Sequence, residues 1–197
     1  MGGTARLVGD LGQKAEMALV KVAVALERSH LRYCVDAGTL LGIYRENRLL
    51  PWDNDIDFYL AERNPYKLFW LRVRLLFMGF RTRIDYLQDS FGPLQSGLPR
   101  LIRVKSIQRY DGKYLRIDLF FKYLDGDSYH WVEGETPPIH KRVNRKFYDR
   151  FSTIGYKDRT YPIPSEIEAY LEARYGDWKT PRIEYDHKTD DLAIVEE

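Results

Sequence analysis

The sequence of 197 residues contains a single cysteine, Cys34. One cysteine can form neither an internal disulfide bond nor a zinc site built from cysteines. The sequence also lacks any apolar run of the roughly 18 residues that a membrane-spanning helix needs, and no signal peptide is visible at its N-terminus. We therefore expect a cytoplasmic protein with a reduced thiol and no stable membrane insertion.

Several patterns of known catalytic chemistry are missing as well. There is no Gly-x-Ser-x-Gly elbow and no Walker A loop, which disfavours serine hydrolases and P-loop enzymes. The four histidines do not have the spacing of metal ligands. The net charge of +2 predicts no nucleic-acid partner, although it leaves room for a local basic patch.

The pattern of apolar residues predicts a mixed α+β domain. Amphipathic spacing indicates helices, and alternation of polar and apolar residues indicates strands. The predicted helices cover residues 11–29, 38–45, 65–77 and 165–176. The predicted strands cover residues 31–35, 55–60, 80–87, 101–110, 113–121 and 129–133. This order favours one domain over residues 1–197, with a mixed, largely antiparallel sheet flanked by helices. Its core would span about 11–133 and a C-terminal helical extension about 134–197.

Three local signals refine this prediction. The dipeptide Asp111-Gly112 is typical of a tight hairpin turn. The segment Ser165–Glu168 matches a capping box at the start of the last helix. Residues 136–145 are basic and contain proline, and we predict a loop there.

The densest chemical signal is the segment 51–58, which reads Pro-Trp-Asp-Asn-Asp-Ile-Asp-Phe. In a strand, Asp55 and Asp57 lie on one face, and Ile56 and Phe58 lie on the other. Two carboxylates about 4 Å apart repel by roughly 4 kcal/mol at an effective dielectric constant near 20. Mg²⁺ or Mn²⁺ would relieve this repulsion, because hard cations prefer oxygen ligands. The segment thus predicts a metal site, and the alternative is a solvated acidic turn.

A third carboxylate, Asp118, lies in a matching strand between apolar residues. A charge in that position is unfavourable if it is buried alone. If its strand lies beside the strand of Asp55 and Asp57, the three carboxylates form one cluster. An ion pair between Asp118 and Arg116, or another arginine, is the alternative. Together with a glycine-containing turn upstream, such a cluster indicates metal-assisted phosphoryl chemistry.

That upstream turn is the segment 38–42, which reads Gly-Thr-Leu-Leu-Gly. Gly38 allows the backbone to approach a ligand closely, and Thr39 offers a hydroxyl and a backbone N–H group to a phosphate. Arg45 lies about two helical turns further on, where it can bind a phosphate with two hydrogen bonds. The alternatives are an ordinary helix start and a surface arginine.

Taken together, these segments resemble the LicD family, within the DNA polymerase beta-like nucleotidyltransferase superfamily. The resemblance covers residues 38–42, Arg45, 51–57 and 117–120, and a Tyr-Gly-Asp-Trp motif at residues 175–178 followed by proline. One departure is Asn54, where the family usually has another aspartate. We expect this position to face away from Asp55 and Asp57.

The resemblance implies a nucleotidyltransferase-like fold and a set of site residues. By similarity, Asp55, Asp57 and Asp118 would bind catalytic Mg²⁺ or Mn²⁺, and Gly38 and Thr39 would contact the phosphates of a nucleotide-activated donor. Such donors are typically CDP-linked alcohols, and the acceptor is a sugar hydroxyl on a glycan.

Further roles follow as hypotheses. Asp118, or with less support Asp53, would act as the general base. Trp52 or a tyrosine would stack on the base of the donor nucleotide. Arg45 and one of three cations in the basic segment 136–145 would stabilise the developing negative charge. These cations are Lys141, Arg142 and Arg145, and the alternative is that the segment is a solvated face.

Two other functions remain open. With the same fold, the protein could use a nucleoside triphosphate to transfer a nucleotidyl group to a small molecule that bears a hydroxyl. It could also be a binding module for nucleotides or glycans without turnover. An intact set of three aspartates favours an enzyme over the binding module.

Overall fold

The structure, a computed structural model, describes residues 6–196. The helices are α1 (Gly9–Arg28), α2 (Ala37–Glu46), α3 (Pro65–Phe77), α4 (Lys146–Asp149) and α5 (Ile167–Tyr175). The strands are β1 (Tyr33–Val35), β2 (Ile56–Leu60), β3 (Phe80–Tyr86), β4 (Pro99–Ser106), β5 (Arg116–Phe121), β6 (Tyr123–Asp125), β7 (Ser128–Glu133), β8 (Ile139–Asn144), β9 (Phe151–Tyr156) and β10 (Arg159–Pro164).

A five-stranded central sheet organises the fold, with the strand order β1-β2-β5-β4-β3. Only β2 and β5 run parallel within this sheet, and its other neighbouring pairs are antiparallel. Helices α1 and α3 pack against each other, and α3 contacts β3. The predicted fold class, a mixed and largely antiparallel sheet flanked by helices, is confirmed.

Local sequence explains where α3 begins and ends. The side chain of Asn64 accepts hydrogen bonds from the backbone N–H groups of Tyr66 and Lys67, which caps the helix. Pro65 occupies the first turn, where its missing N–H group has no intrahelical partner to lose. Gly79 follows the helix with φ of +90°, a backbone conformation that favours glycine.

Two smaller sheets, β6-β7-β8 and β10-β9, follow the central sheet. The predicted loop over residues 136–145 is wrong, because β8 occupies residues 139–144 and pairs with β7. Strands β9 and β10 were not predicted from the sequence. Pairing of β7 with β8 joins the predicted core to the predicted C-terminal extension, and the division into these two parts stays a prediction.

The predicted capping box at the last helix is also wrong. Helix α5 starts at Ile167, and its first turn has no side-chain cap. The Ser165 hydroxyl donates instead to the carbonyl oxygen of Lys146, 2.5 Å away. The helix does end at Gly176, as predicted.

None of the helices described in residues 6–196 is long and apolar enough to cross a lipid bilayer. A cytoplasmic location stays a prediction.

Gly42 is required by close packing of α2 on the segment that follows it. A Cβ atom at this position would lie 2.6 Å from the carbonyl oxygen of Arg48 and 3.0 Å from the backbone nitrogen of Leu50. We predict that Gly42→Ala lowers the free energy of unfolding by about 1–3 kcal/mol, because a packed backbone must move. Urea denaturation measures this change.

Gly155→Ala is the matched control, since a Cβ atom there would have no heavy atom within 4 Å. Equal losses of stability in the two variants would contradict the packing explanation.

Candidate active site

Parallel pairing of β2 with β5 brings the two acidic segments together. The Cα atoms of Asp57 and Asp118 are register partners, and neighbouring strands lie about 4.8 Å apart. Asp55 precedes β2 by one residue and is two residues from Asp57. The two acidic segments, which the sequence predicts to be neighbours, are therefore adjacent strands.

Electrostatic repulsion dominates this group of carboxylates. Burial raises the pKa of Asp55 to about 7, and the negative charge of Asp53 adds to the rise. Burial, followed by the charge of Asp55, likewise raises the pKa of Asp118 to about 7. Burial holds the pKa of Asp57 well above its usual range, with further contributions from Asp55, Asp53 and Asp118. The protein alone does not compensate the negative charge of these side chains.

Asp118 has an oxygen atom without a partner. Its Oδ1 atom is buried and accepts no hydrogen bond, and the nearest cation is the Nε atom of Arg103 at 3.7 Å. A buried acceptor of this kind is unfavourable unless something occupies it. Its neighbours are carboxylate oxygens, which are ligands that Mg²⁺ and Mn²⁺ prefer. The donor set therefore fits a hard divalent cation.

The side chains do not form a closed metal cage as they stand. Across residues 6–196, no group of three or more His, Cys, Asp or Glu side chains is arranged so that it could hold a metal ion. Repulsion between uncompensated carboxylates favours such separation. A shared site for Asp55, Asp57 and Asp118 thus requires side-chain rotation, and metal binding stays a proposal.

The turn between β1 and α2 fixes the position of the acidic segment. Thr39 is buried, and its hydroxyl oxygen accepts a hydrogen bond of 2.9 Å from the backbone N–H group of Asp57. At Gly38, an added Cβ atom would lie 2.5 Å from the Oδ2 atom of Asp53. Gly38 lines the cavity beside the aspartates. The Thr39 hydroxyl supports Asp57, and the predicted contact of Thr39 with phosphate stays a prediction.

Arg45 and Trp52 also line this cavity. The guanidinium of Arg45 donates to the carbonyl oxygen of Trp178 at 3.0 Å and to a carboxylate oxygen of Glu46 at 2.6 Å. These contacts occupy most of its donors, so its predicted phosphate contact would need rearrangement. Asn54, predicted to face away from the aspartates, lines the cavity too, because it precedes β2 and the alternation of a strand does not extend to it.

The cavity has a volume of about 910 Å³. Its walls contain Asp53, Asp55, Asp57 and Asp118 together with cations from β4 and β5 and with residues near the C-terminus. The cationic lining residues are Arg45, Arg100, Arg103, Lys105, Arg116, Arg174, Arg182 and Lys188. A space of this size, with both signs of charge, suits a polar phosphorylated ligand.

A buried ion pair behind the turn was not predicted. The Nζ atom of Lys122 donates to the Oδ2 atom of Asp36 at 2.6 Å and also to the hydroxyl of Tyr148. Asp36 in turn caps α2 by accepting from the backbone N–H group of Ala37. The one sequence signal was a lysine directly after the apolar residues of β5.

The basic segment around Lys141 also differs from its prediction. Lys141 is fully buried in β8 and donates to Glu133 and Asp191. Arg174 binds the same Asp191 carboxylate at 2.6 Å. Lys141 therefore joins the C-terminal segment to the sheet, and its amine is already engaged by two carboxylates.

The Lys122 pair is expected to be important for folding. Lys122→Met leaves the buried Asp36 carboxylate without its cation, and we predict a loss of about 3–5 kcal/mol in the free energy of unfolding. Urea denaturation measures this loss. The control is Lys157→Met, which removes an exposed pair with Glu16 and should change stability little. Similar losses in both variants would argue against a critical buried pair.

Removal of the Asp57 charge should stabilise the metal-free protein at high pH, and it should abolish stabilisation by a divalent metal. In the absence of metal, stability should fall as pH rises from about 4 to above 7, because the folded state holds protons on Asp55 and Asp118 that the unfolded state has released. Asp57→Asn should therefore raise the melting temperature of the metal-free protein at pH 8. At pH 5 it should have little effect.

At pH 8, Mn²⁺ should raise the melting temperature of the natural protein and leave that of Asp57→Asn unchanged. Thermal unfolding by circular dichroism measures both effects. Asp89→Asn, at an exposed position, is the control and should behave like the natural protein. A lower melting temperature for metal-free Asp57→Asn at pH 8 would refute the repulsion argument.

Comparison with known proteins gives a match over most of the chain. Residues 30–166 match the family described as "LicD/FKTN/FKRP, nucleotidyltransferase domain". This range includes the turn at Gly38, the acidic segment and the strand of Asp118.

Individual relatives are more distant. The protein named "Ribitol-5-phosphate transferase FKTN" in Homo sapiens is 25% identical over 179 residues, which is 89% of this chain and 35% of that protein. An uncharacterized protein of Rickettsia typhi is 24% identical over 139 residues, which is 70% of this chain and 42% of that protein. The chain thus spans about a third of the length of its fukutin relatives.

Among solved structures, ANT(2″)-Ia in complex with adenylyl-2″-tobramycin aligns over 57% of this chain and 52% of that chain. The TM-score is 0.34 and the sequence identity is 15%, a similarity too low to support any conclusion.

Proposed function

The chain belongs to the LicD family of nucleotidyltransferase domains, and on that premise we propose that it transfers a phospho-alcohol from a CDP-linked donor to a glycan hydroxyl. The transferred group would be phosphocholine or an alditol phosphate, and the reaction would depend on Mg²⁺ or Mn²⁺. The activity named for the fukutin relatives supports this proposal. The observation on which it rests is the register of Asp57 with Asp118, two carboxylates that line one cavity.

Asp55, Asp57 and Asp118 would hold the cation, and the unpartnered Oδ1 atom of Asp118 is available for this purpose. A bound divalent cation would neutralise negative charge on the donor phosphates and on the leaving nucleotide. Binding would also remove the repulsion that raises the pKa values of these carboxyl groups.

The first turn of α2 is the proposed site for the donor phosphates. Ala37 and Gly38 line the cavity, and N–H groups at a helix N-terminus favour anions. Thr39 would contribute indirectly, since its hydroxyl holds the backbone of Asp57. Trp52 lines the same cavity and is the proposed stacking surface for the nucleotide base.

Asp118 is the proposed general base. It would accept the proton of the acceptor hydroxyl while the hydroxyl oxygen forms a bond to phosphorus and the bond from phosphorus to the CMP oxygen breaks. Asp118 lines the candidate cavity, and a positioned carboxylate can take up a proton in the transition state. The products are CMP and an acceptor joined to the alcohol by a phosphodiester bond.

The test is incubation of the protein with Mn²⁺ and CDP-choline, CDP-ribitol or CDP-glycerol, with candidate acceptors added. We predict release of CMP, and a decrease of roughly 10²–10⁴-fold in kcat for Asp118→Asn, because a general base contributes about that much. Product analysis by ion-exchange chromatography measures the reaction. Asp89→Asn, at an exposed position, is the control.

Release of pyrophosphate from CTP, with no CMP from any CDP-alcohol, would support the nucleotidyltransferase alternative. Tight binding of a CDP-alcohol without any turnover would favour a binding module.

A further inference from the structure

Three cations lie in one row across the strands next to the candidate active site. Arg81 on β3 is the register partner of Lys105 on β4, and Lys105 is the register partner of Arg116 on β5. All three side chains are exposed. Because neighbouring strands are about 4.8 Å apart, the row spans about 10 Å. Like charges directly opposite each other destabilise a sheet, so this arrangement needs an explanation.

Within the described residues the row forms no ion pair, although the charge of Arg116 at its end acts on Asp55 and Asp118. Among residues 6–196, no Asp or Glu oxygen lies within 4.0 Å of the charged nitrogens of Arg81, Lys105 or Arg116. A further cation adds to the charge, since Arg109 and Lys105 contact the ring of Tyr114 at 4.7 and 4.2 Å. The row is therefore a concentration of positive charge that lacks direct carboxylate partners among the described residues.

The adjacent row shows the contrast. Arg83 on β3 and Arg103 on β4 are register partners as well. Arg83 pairs with Asp85 at 2.6 Å, and Arg103 pairs with Glu135 at 2.5 Å. Arg83 and Arg103 thus have carboxylate partners within ion-pair distance, whereas the described residues provide none for Arg81, Lys105 or Arg116.

The cation row lies on one side of the aspartates, toward β4 and β3. Arg116 and Lys105 line the candidate cavity. Although burial raises the pKa of Asp55, the nearby charge of Arg116 opposes that rise. Across the sheet, α2 and its first turn follow β1, on the opposite side of β2 from the cations. The donor site proposed above and the cation row therefore flank the aspartates from opposite sides.

From this placement we propose that Arg81, Lys105 and Arg116 bind an anionic group, a phosphate ester, on the acceptor. This inference rests on the proposed transferase function, because it takes the donor to occupy the α2 side. The acceptor hydroxyl then approaches the aspartates from the β4 side, opposite the leaving nucleotide, as in-line attack requires. The row serves to bind and orient the acceptor.

The test is titration calorimetry with glucose 6-phosphate and with glucose as probes. We expect the sugar phosphate to bind at least about tenfold more tightly than the neutral sugar, since charge-assisted hydrogen bonds form only with the phosphate. Its affinity should fall as salt rises. Lys105→Glu and, independently, Arg81→Glu should each weaken it about tenfold or more.

Lys21→Glu is the matched control, because it reverses an exposed charge on α1. It should leave the affinity for glucose 6-phosphate within about twofold of the natural value. Equal affinities for the two sugars, or an equal loss in Lys21→Glu and Lys105→Glu, would overturn the inference. Tighter binding of a single-stranded oligonucleotide that depends on Lys105 would also overturn it.

Thermal stabilisation by CDP-ribitol with Mn²⁺, measured on the same samples, separates this inference from the proposed function. Donor binding without any preference for the sugar phosphate would refute the role of the row and leave the transferase proposal intact. A preference for the sugar phosphate without donor binding would refute the assignment to an acceptor.

Discussion

The single parallel contact of the central sheet, between β2 and β5, is the constraint on which the candidate site depends. It sets Asp57 opposite the buried Asp118 and so brings like charges together. Because the same strands alternate, Ile56, Phe58 and Ile117 lie on the other face and are fully buried there. The apolar face must stabilise strands whose acidic side chains repel one another. Stability of the fold and affinity for a cation are thus opposed in the metal-free protein and aligned once the charge is neutralised.

Buried ion pairs also hold other segments of the chain in place around the site. Lys122 binds Asp36 under the first turn of α2, and Arg174 and Lys141 bind Asp191 near the C-terminus. Removal of such charges from water is costly, and their attraction offsets much of that cost only when the geometry is good. These ion pairs therefore contribute less to net stability than to the placement of the segments that they join, which are separate in sequence.

Local patterns predicted the elements whose structure is decided locally. Alternation identified the strands of Asp57 and Asp118, and Asp111-Gly112 does form a tight turn with positive φ at both residues. Strand β8 was missed because Pro137 and Pro138 just before it and the cations within it indicated a loop. Lys141 can be buried there only because Glu133 and Asp191 meet it, which a local pattern does not reveal. The roles of Gly38 and Thr39 were described only in part, since their contacts are with the acidic segment of a later strand. Asp55, Asp57 and Asp118 stay predicted metal ligands.

Charge is distributed across the sheet in a way that the composition conceals. The net charge of +2 is a sum over the whole chain. It conceals an acidic group on β2 and β5 and a cation row on β3, β4 and β5. At separations of about 5–10 Å these fields are only partly screened at physiological salt, because the Debye length is about 8 Å. A ligand in the cavity is therefore attracted or repelled by both groups of charges at once. A ligand with a metal-bound phosphate at one end and a free anionic group at the other would match both, whereas a uniformly charged polymer would match only one. The near-neutral total thus reflects two opposed local fields, and the order of the strands decides what they can bind.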